Sequence, residues 1–297
     1  MVSITSSKTK GDIVESESKF SLGFYGKVID DRTRFSEDFI KKNSENVFSI
    51  FYDKDQIVYE INGEAIQCHD IEDYFRNMNP NSSLIDITSI DVPTLALIVQ
   101  SLKGIMNLLY FVYIEPENYS STTETLTSLD SSFNLSESIL GFESSGVPTI
   151  TKPLERDYDY IFLLGFEEAR TLNAIEVHDI HSDQGKFIFG VPAFKPHWEN
   201  ESLKNNVRVL KDYNIREHIR YCGANDLAAC VTIIMNIISS NDRKGVNIIP
   251  IGTKPHSLAA ILAYNITENM NILFDQPIQM DGRSSGVGTK HLYKVSF

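Results

Sequence analysis

Residues Val246–Ala263 read VNIIPIGTKPHSLAAILA, an apolar run that gives way to a polar turn and then to a segment of small and apolar residues. Val246, Ile248, Ile249 and Ile251 make an apolar, β-branched run that stops at Gly252. A Thr-Lys-Pro-His turn follows, and Ser257 opens a helical pattern through Leu258, Ile261 and Leu262. The order is strand, polar turn, helix. Where a buried parallel strand hands over to a helix, backbone N–H groups and the positive end of the helix dipole face the carboxyl edge of the sheet, a seat for phosphate or carboxylate. Lys254 adds a positive charge, Thr253 and Ser257 add hydroxyls, and Gly252 lets a ligand approach the backbone. The competing reading is an ordinary connecting turn with an exposed lysine.

Outward from this stretch, the second half of the chain alternates. Strand patterns at Tyr160–Gly165, Phe187–Val191 and Ile219–Cys222 are separated by helical patterns at Glu167–Ile180 and Glu201–Tyr213. A further helix, capped by Asn225 or Asp226, runs to Ile238, and strands at Asn271–Phe274 and Leu292–Phe297 complete the series. Alternating βα units of this length predict a largely parallel sheet flanked by helices and connected right-handedly. The first half is more mixed. A strand at Phe20–Tyr25 and a helix at Arg34–Lys42 precede two strands, Val47–Tyr52 and Gln56–Ile61, joined as a hairpin, and a short helix at Ile71–Met78. From Leu84 the pattern sharpens again: strand, the turn Thr88-Ser89-Ile90-Asp91, Pro93 in the first turn of a helix, then the apolar strand Leu108–Ile114. The expected class is α/β, with two Rossmann-like lobes whose sheets are largely parallel and flanked by helices. Residues 1–19 read as a flexible leader, 20–119 as an N-terminal lobe and 157–297 as a C-terminal lobe. Between the lobes, 120–156 is rich in Ser, Thr and acid and reads as an excursion at the sheet edge or a lid over a site.

The 297 residues include 42% hydrophobic and 23% charged ones, the balance of a soluble globular protein. A formal net charge of -13 argues against general binding to nucleic-acid backbones, which needs a contiguous basic face, while leaving room for a local basic pocket. Cys68, Cys222 and Cys230, odd in number and far apart, point to reduced thiols in a cytosolic protein and to no metal site. The polar amino terminus lacks the apolar core of a signal peptide, so the sequon Asn134–Ser136 carries no meaning. Val92–Ile114 is apolar enough to imitate a membrane span, but Gln100, Ser101, Lys103, Gly104 and Asn107 divide it into a buried helix and a buried strand; no membrane partner is expected.

The two sharpest segments look like copies: IDITSIDVPTLALIV leading to NLLYFVYIEP, and IIPIGTKPHSLAAIL leading to MNILFDQP. Such copies would place Thr88–Asp91 and Thr253–Ser257 at equivalent sheet edges facing one cleft. A strand followed by Gly252-Thr253-Lys254-Pro255 and a helix of small residues, matched more loosely by Thr88–Leu95, resembles the Gly-Thr-Lys ligand turn of CARF domains. Paired lobes of this kind in one chain resemble the SAVED domains of prokaryotic anti-phage systems. That resemblance implies Rossmann-like lobes that bind oligonucleotide second messengers between lobes or subunits. The chain departs from the pattern in having one Gly before Thr253, where CARF turns often have two, and Pro255-His256 after Lys254. With no nuclease or TIR module evident, such a sensor would act through an effector protein.

Other constellations sit at predicted strand ends. In Gly165–Arg170, Glu167 suits a ribose hydroxyl or acid–base work and Arg170 suits a phosphate or carboxylate; the alternative is helix-dipole complementarity. Phe194 and Trp198, with Lys195 and His197, suit stacking on a base beside a phosphate, or plain packing. His178, Asp179, His181 and Asp183 are ligand-type residues but fall at the wrong edge and read as a solvated loop. Cys222-Gly223-Ala224 and Asn225-Asp226 read first as a cap, with His218 or His256 as the partners a nucleophilic Cys222 would need. Asp281–Gly288 is a glycine-rich loop able to fold Arg283 over an anion, but it is no P-loop.

The leading expectation is a binding protein for a nucleotide-type anion, sensory or regulatory in role. Its contacts are Thr88, Ser89, Asp91, Gly165, Glu167, Arg170, Phe194, Trp198, Gly252, Thr253, Lys254, His256, Ser257 and Arg283. The alternatives are an enzyme on a nucleotide, nucleoside or phosphorylated metabolite with Glu167 or His256 as acid or base, and an interaction subunit of a larger complex. The sequence does not identify a cofactor.

Overall fold

A computed structural model describes residues 2–10, 19–53, 56–119, 135–139, 141–142, 158–212, 218–241, 243 and 245–297. The chain divides into two compact units. The first, through Asn118 and again from Ser284, holds β1 (Ser3–Thr9), β2 (Phe20–Tyr25), α1 (Asp31–Asn43), β3 (Ser44–Asp53), β4 (Val58–Ile61), β5 (Glu64–Gln67), α2 (Ile71–Arg76), β6 (Ser83–Asp86), α3 (Val92–Lys103) and β7 (Leu108–Tyr119). The second, from Tyr119, holds β8 (Ser136–Ile139), β9 (Tyr158–Leu164), α4 (Glu168–Val177), β10 (Gly185–Gly190), α5 (Trp198–Asn205), α6 (Val207–Asp212), β11 (Ile219–Cys222), α7 (Leu227–Ser239), β12 (Gly245–Pro250), α8 (Lys254–Tyr264), β13 (Met270–Ile272) and β14 (Pro277–Gln279). The last strand, β15 (Ser284–Ser296), returns to the first unit.

The second unit carries the expected parallel sheet, in the order β11-β10-β9-β12-β13 with neighbouring strands parallel. Its central strands β9 and β12 are buried on both faces, as continuous apolar runs require, while the edge strand β11 is partly exposed. Tyr160, Phe162, Leu164, Phe187 and Phe189 face one core with Ala174 and Ile175 of α4 and Val209 of α6. The helices α7 and α8 pack on each other, α7 also against β11 and α8 against β12 and β13. The segment Glu201–Tyr213, expected as one helix, breaks into α5 and α6 at Asn206, whose buried side-chain amide donates to the Gly165 carbonyl at 2.9 Å.

The first unit is not the largely parallel sheet expected. Its eight strands run β1-β15-β7-β6-β2-β3-β4-β5; the run β7-β6-β2-β3 is parallel, while β3/β4, β4/β5 and β1/β15 are antiparallel. Part of the expected leader, Ser3–Thr9, is β1, paired along its length with β15; the rest of it, 11–18, lies outside the described residues. Much of the expected excursion 120–156 also lies outside them, except that Ser136–Ile139 pairs with β14. The membrane-like stretch Val92–Ile114 is divided as expected, into α3, buried on most faces, and β7. No helix among the described residues is long and apolar enough to cross a membrane.

Both parallel cores share one strand order. The first strand in sequence, β2 or β9, has the second, β3 or β10, on one side; on the other lie β6 then β7, or β12 then β13. The two look-alike segments therefore occupy the same place in their own sheets. The resemblance extends to a detail: a glycine follows the first strand and packs against the turn after its neighbour. A Cβ at Gly26 would lie 2.6 Å from the Ser89 carbonyl oxygen, and one at Gly165 would lie 2.7 Å from that of Ile251. Only a residue without a side chain fits either position.

Candidate functional site

Because its strands are parallel, the second unit gathers the ends of β9, β10, β11 and β12 along one edge, and the strand order reverses between β9 and β12. Gly165 and Gly252 meet there. A Cβ at Gly252 would lie 2.9 Å from the Leu164 carbonyl oxygen, so this glycine makes room for protein backbone, not for a ligand as the sequence suggests.

Thr253 caps α8: its hydroxyl accepts from the His256 N–H at 3.4 Å and donates to the Ala224 carbonyl at 2.7 Å. The Ser257 hydroxyl donates back to the Thr253 carbonyl at 3.2 Å, and Pro255 has no N–H to offer. The hydroxyls expected to bind a ligand thus serve the turn itself. Lys254, half-buried at the first helical position, carries the charge of this turn.

Glu167 and Arg170 are engaged inside the protein. Arg170 donates to both carboxylate oxygens of Asp275, from Nε at 2.6 Å and Nη2 at 2.7 Å, and from Nη1 to Glu167 at 3.3 Å. Glu167 also accepts from the Leu135 N–H at 3.1 Å and the Ser136 hydroxyl at 3.2 Å. Burial works to lower the Arg170 pKa, but the two carboxylates more than offset it. Arg170 is a clamp on a carboxylate of its own chain, and Glu167 is part of that clamp rather than an acid or base at an open edge.

Trp198 tilts against Tyr119 with ring centroids 4.9 Å apart and meets Phe166 edge-on at 6.4 Å, and Lys195 Nζ lies 5.8 Å from its centroid. All four are half-buried, as is Phe194 in the same loop. Phe166 directly follows Gly165, so this aromatic group borders the same strand-end edge.

In the first unit, Thr88, Ser89 and Asp91 are structural. Asp86, fully buried, accepts from the Thr88 N–H at 2.7 Å, the Ser36 hydroxyl at 2.7 Å and the Ser89 hydroxyl. The Thr88 hydroxyl accepts from Ile114 N–H at 3.1 Å, Ser89 Oγ accepts from Gly26 N–H at 2.7 Å, and Asp91 caps α3 through the Thr94 N–H at 2.8 Å. Burial pushes the Asp86 carboxyl up, against those donors. The expected loop Asp281–Gly288 is half strand: Ser284–Gly288 belong to β15, where Ser284 bonds Asp30 and the Gly286 N–H donates to Asp31 at 3.0 Å. Arg283 is half-buried just before that strand.

The sequence reading considered His218 or His256 as partners of Cys222 but missed the sulfur–imidazole cluster that Cys230 completes. Cys222 ends β11, Cys230 lies in the second turn of α7, and His256 lies in the first turn of α8; one ligand atom from each lies within 4.8 Å of the others. The far-apart cysteines, read as excluding a metal set, are neighbours because β11 and α7 are joined by a tight turn, and α8 packs on α7. His256, proposed above as a ligand contact or catalytic base, is fully buried, with Nε2 3.0 Å from the Gly223 carbonyl oxygen and Nδ1 without a hydrogen-bond partner among the described residues. The Cys230 thiol, hydrogen-bonded to Cys222, draws the latter down to about 6; burial opposes this and His256 adds to it. Cys230 is raised correspondingly by the same hydrogen bond. The sequence signal was the spacing of Cys222 and Cys230 across a predicted strand-to-helix turn.

The dispersed set His178, Asp179, His181 and Asp183 does not assemble. The His178 ring packs 5.1 Å from Phe142, burial lowering its pKa, while Asp183 pairs with Arg243 at 2.7 Å. Asp183 lines a cavity of about 500 Å³ at the opposite edge of the sheet, with Asp159, Lys186, His218, Arg220 and Arg243. Its Asp159–Arg243 and Asp183–Arg243 pairs, at 3.0 and 2.7 Å, balance charge within the wall.

Compared with known proteins, the chain matches no protein-family model, and no curated protein is significantly similar to it.

Proposed function

We propose that the second unit binds a nucleotide-type anion at the edge where β9 and β12 end, and that its role is sensory or regulatory. The observation that carries this reading is the reversal of strand order between β9 and β12, the position at which open α/β sheets take their ligands. Lys254 opens α8 on one side of that point, where its charge adds to the helix dipole. On the other side, Phe166 and Trp198 supply half-buried aromatic surface with Lys195 beside it, suited to a base next to a phosphate. Binding without turnover is favoured because Glu167 is held by Arg170, Leu135 and Ser136, and His256 is fully buried. The resemblance of Gly252–Lys254 to the CARF ligand turn agrees with this and carries less weight.

The test is calorimetric titration of the whole chain with mononucleotides, dinucleotides and short oligonucleotides, preceded by native mass spectrometry for a retained ligand. Lys254→Ala and Trp198→Leu are each expected to weaken binding at least tenfold, about 1.4 kcal/mol. Affinity unchanged in both variants, or no binding of any probe by wild type, overturns the proposal.

A further inference from the structure

We propose that Cys222, Cys230 and His256 form a binding site for one thiophilic divalent cation of the zinc class, independent of the nucleotide reading. His256 offers the first ligand atom. Nε2, 3.0 Å from the Gly223 carbonyl, carries the proton it donates there, which leaves Nδ1 as a bare lone pair. That atom is buried and has no hydrogen-bond partner among the described residues. A buried acceptor left without a donor is destabilising, and a metal ion is one group that would satisfy it. An imidazole whose other nitrogen donates to a backbone carbonyl is the usual arrangement of a metal-bound histidine, because the hydrogen bond fixes ring and tautomer.

The two sulfurs complete a donor set of matching softness. Thiolate and imidazole suit zinc above magnesium or calcium, which require oxygen. One ring nitrogen of His256 and the two cysteine sulfurs lie within 4.8 Å of one another. Zinc with bonds of about 2.3 Å to sulfur and 2.0–2.1 Å to nitrogen would hold them roughly 3.5–3.8 Å apart, so they need to close by about 1.3 Å at most, within reach of side-chain torsions. Charge agrees as well. Cys222 and Cys230 each release a proton to solvent on binding, and two thiolates with a neutral imidazole cancel the dication, so a site exposed by no more than 3% at any ligand residue holds no net charge. The fourth position is left to a water molecule. Bound metal would tie the end of β11 and the start of α7 to the first turn of α8.

Protein stripped with chelator under reducing conditions is titrated with Co²⁺ and then Zn²⁺. The expected result is uptake of one equivalent, with a thiolate-to-cobalt charge-transfer absorption that zinc abolishes. In mild denaturant, where transient opening exposes buried thiols, zinc should also protect two of the three thiols from alkylation and leave Cys68, which is half-buried and distant in sequence, reactive. Cys230→Val, close to the cysteine in size and apolar, and His256→Gln should each bind at least a hundredfold more weakly, while Cys68→Ser binds as wild type. Circular dichroism identifies any variant that fails to fold, and thiol protection in the wild type needs no variant. Absence of stoichiometric uptake, protection of no thiols, or equal affinity in folded Cys230→Val overturns the proposal. So does a Cys222–Cys230 disulfide that, once reduced, still takes up no metal.

Discussion

The clamp of Arg170 on Asp275 makes a demanding prediction, because it replaces a ligand contact with an internal ion pair. Arg170 is 9% exposed and Asp275 1%, and the pair is bidentate. Substitution Arg170→Met keeps most of the apolar stem but leaves the Asp275 carboxylate buried and unmatched. Breaking a buried pair in this way costs about 3–5 kcal/mol, whereas replacing both partners by apolar groups is close to neutral. With a urea slope of about 2 kcal/mol per molar, the single variant should lower the unfolding midpoint by roughly 1.5–2.5 M. Trp198 is the only tryptophan in the chain and lies in the second unit, so its fluorescence follows the unit that holds the clamp. The double variant Arg170→Met with Asp275→Leu should recover most of the loss. A single-variant cost below about 1 kcal/mol, or a double variant no better than the sum of the singles, would refute the assignment of Arg170 to structure.

Other expectations follow from the same packing. Gly165→Ala puts a methyl group 2.7 Å from the Ile251 carbonyl oxygen and should cost about 1–3 kcal/mol, whereas Gly223→Ala, whose nearest neighbours are 3.4 Å or more away, should cost under about 1 kcal/mol; equal costs would contradict the close approach at the strand ends. Asp30 is pushed up by burial, but Arg32, Ser284 and Thr33 outweigh this and hold its carboxyl below the usual 3.8. The stability it contributes is therefore full above the unfolded-state pKa and is lost as pH falls through the lower folded one. Asp30→Ala, which also removes the cap of α1, should cost about 2 kcal/mol or more near neutrality and flatten the acid limb of the stability curve; an unchanged acid limb in denaturant melts would count against it.

Much of the architecture was legible from local pattern. The handover at Gly252 appears as β12, the Thr253 cap and α8, and β3 and β4 pair antiparallel as the expected hairpin requires. These succeed because apolar periodicity, a capping hydroxyl and Pro in the first turn act over a few residues. The site was legible only in part. Thr88, Ser89, Glu167 and Arg170 looked like ligand contacts because polar residues after strands serve either a ligand or the protein, and composition does not say which. Asp275, far from Arg170 in sequence, decided it.

The chain by itself determined where strands become helices, that polar turns follow them, and that the overall charge is acidic, since each depends on neighbours in sequence or on simple sums. Tertiary structure alone decided which of those turns meet: that β15 joins the first unit, that Gly165 closes on Ile251, and that Cys230 and His256 reach Cys222. The reason is that strand order and helix packing bring together residues separated by long stretches of chain, and no local pattern records the partner.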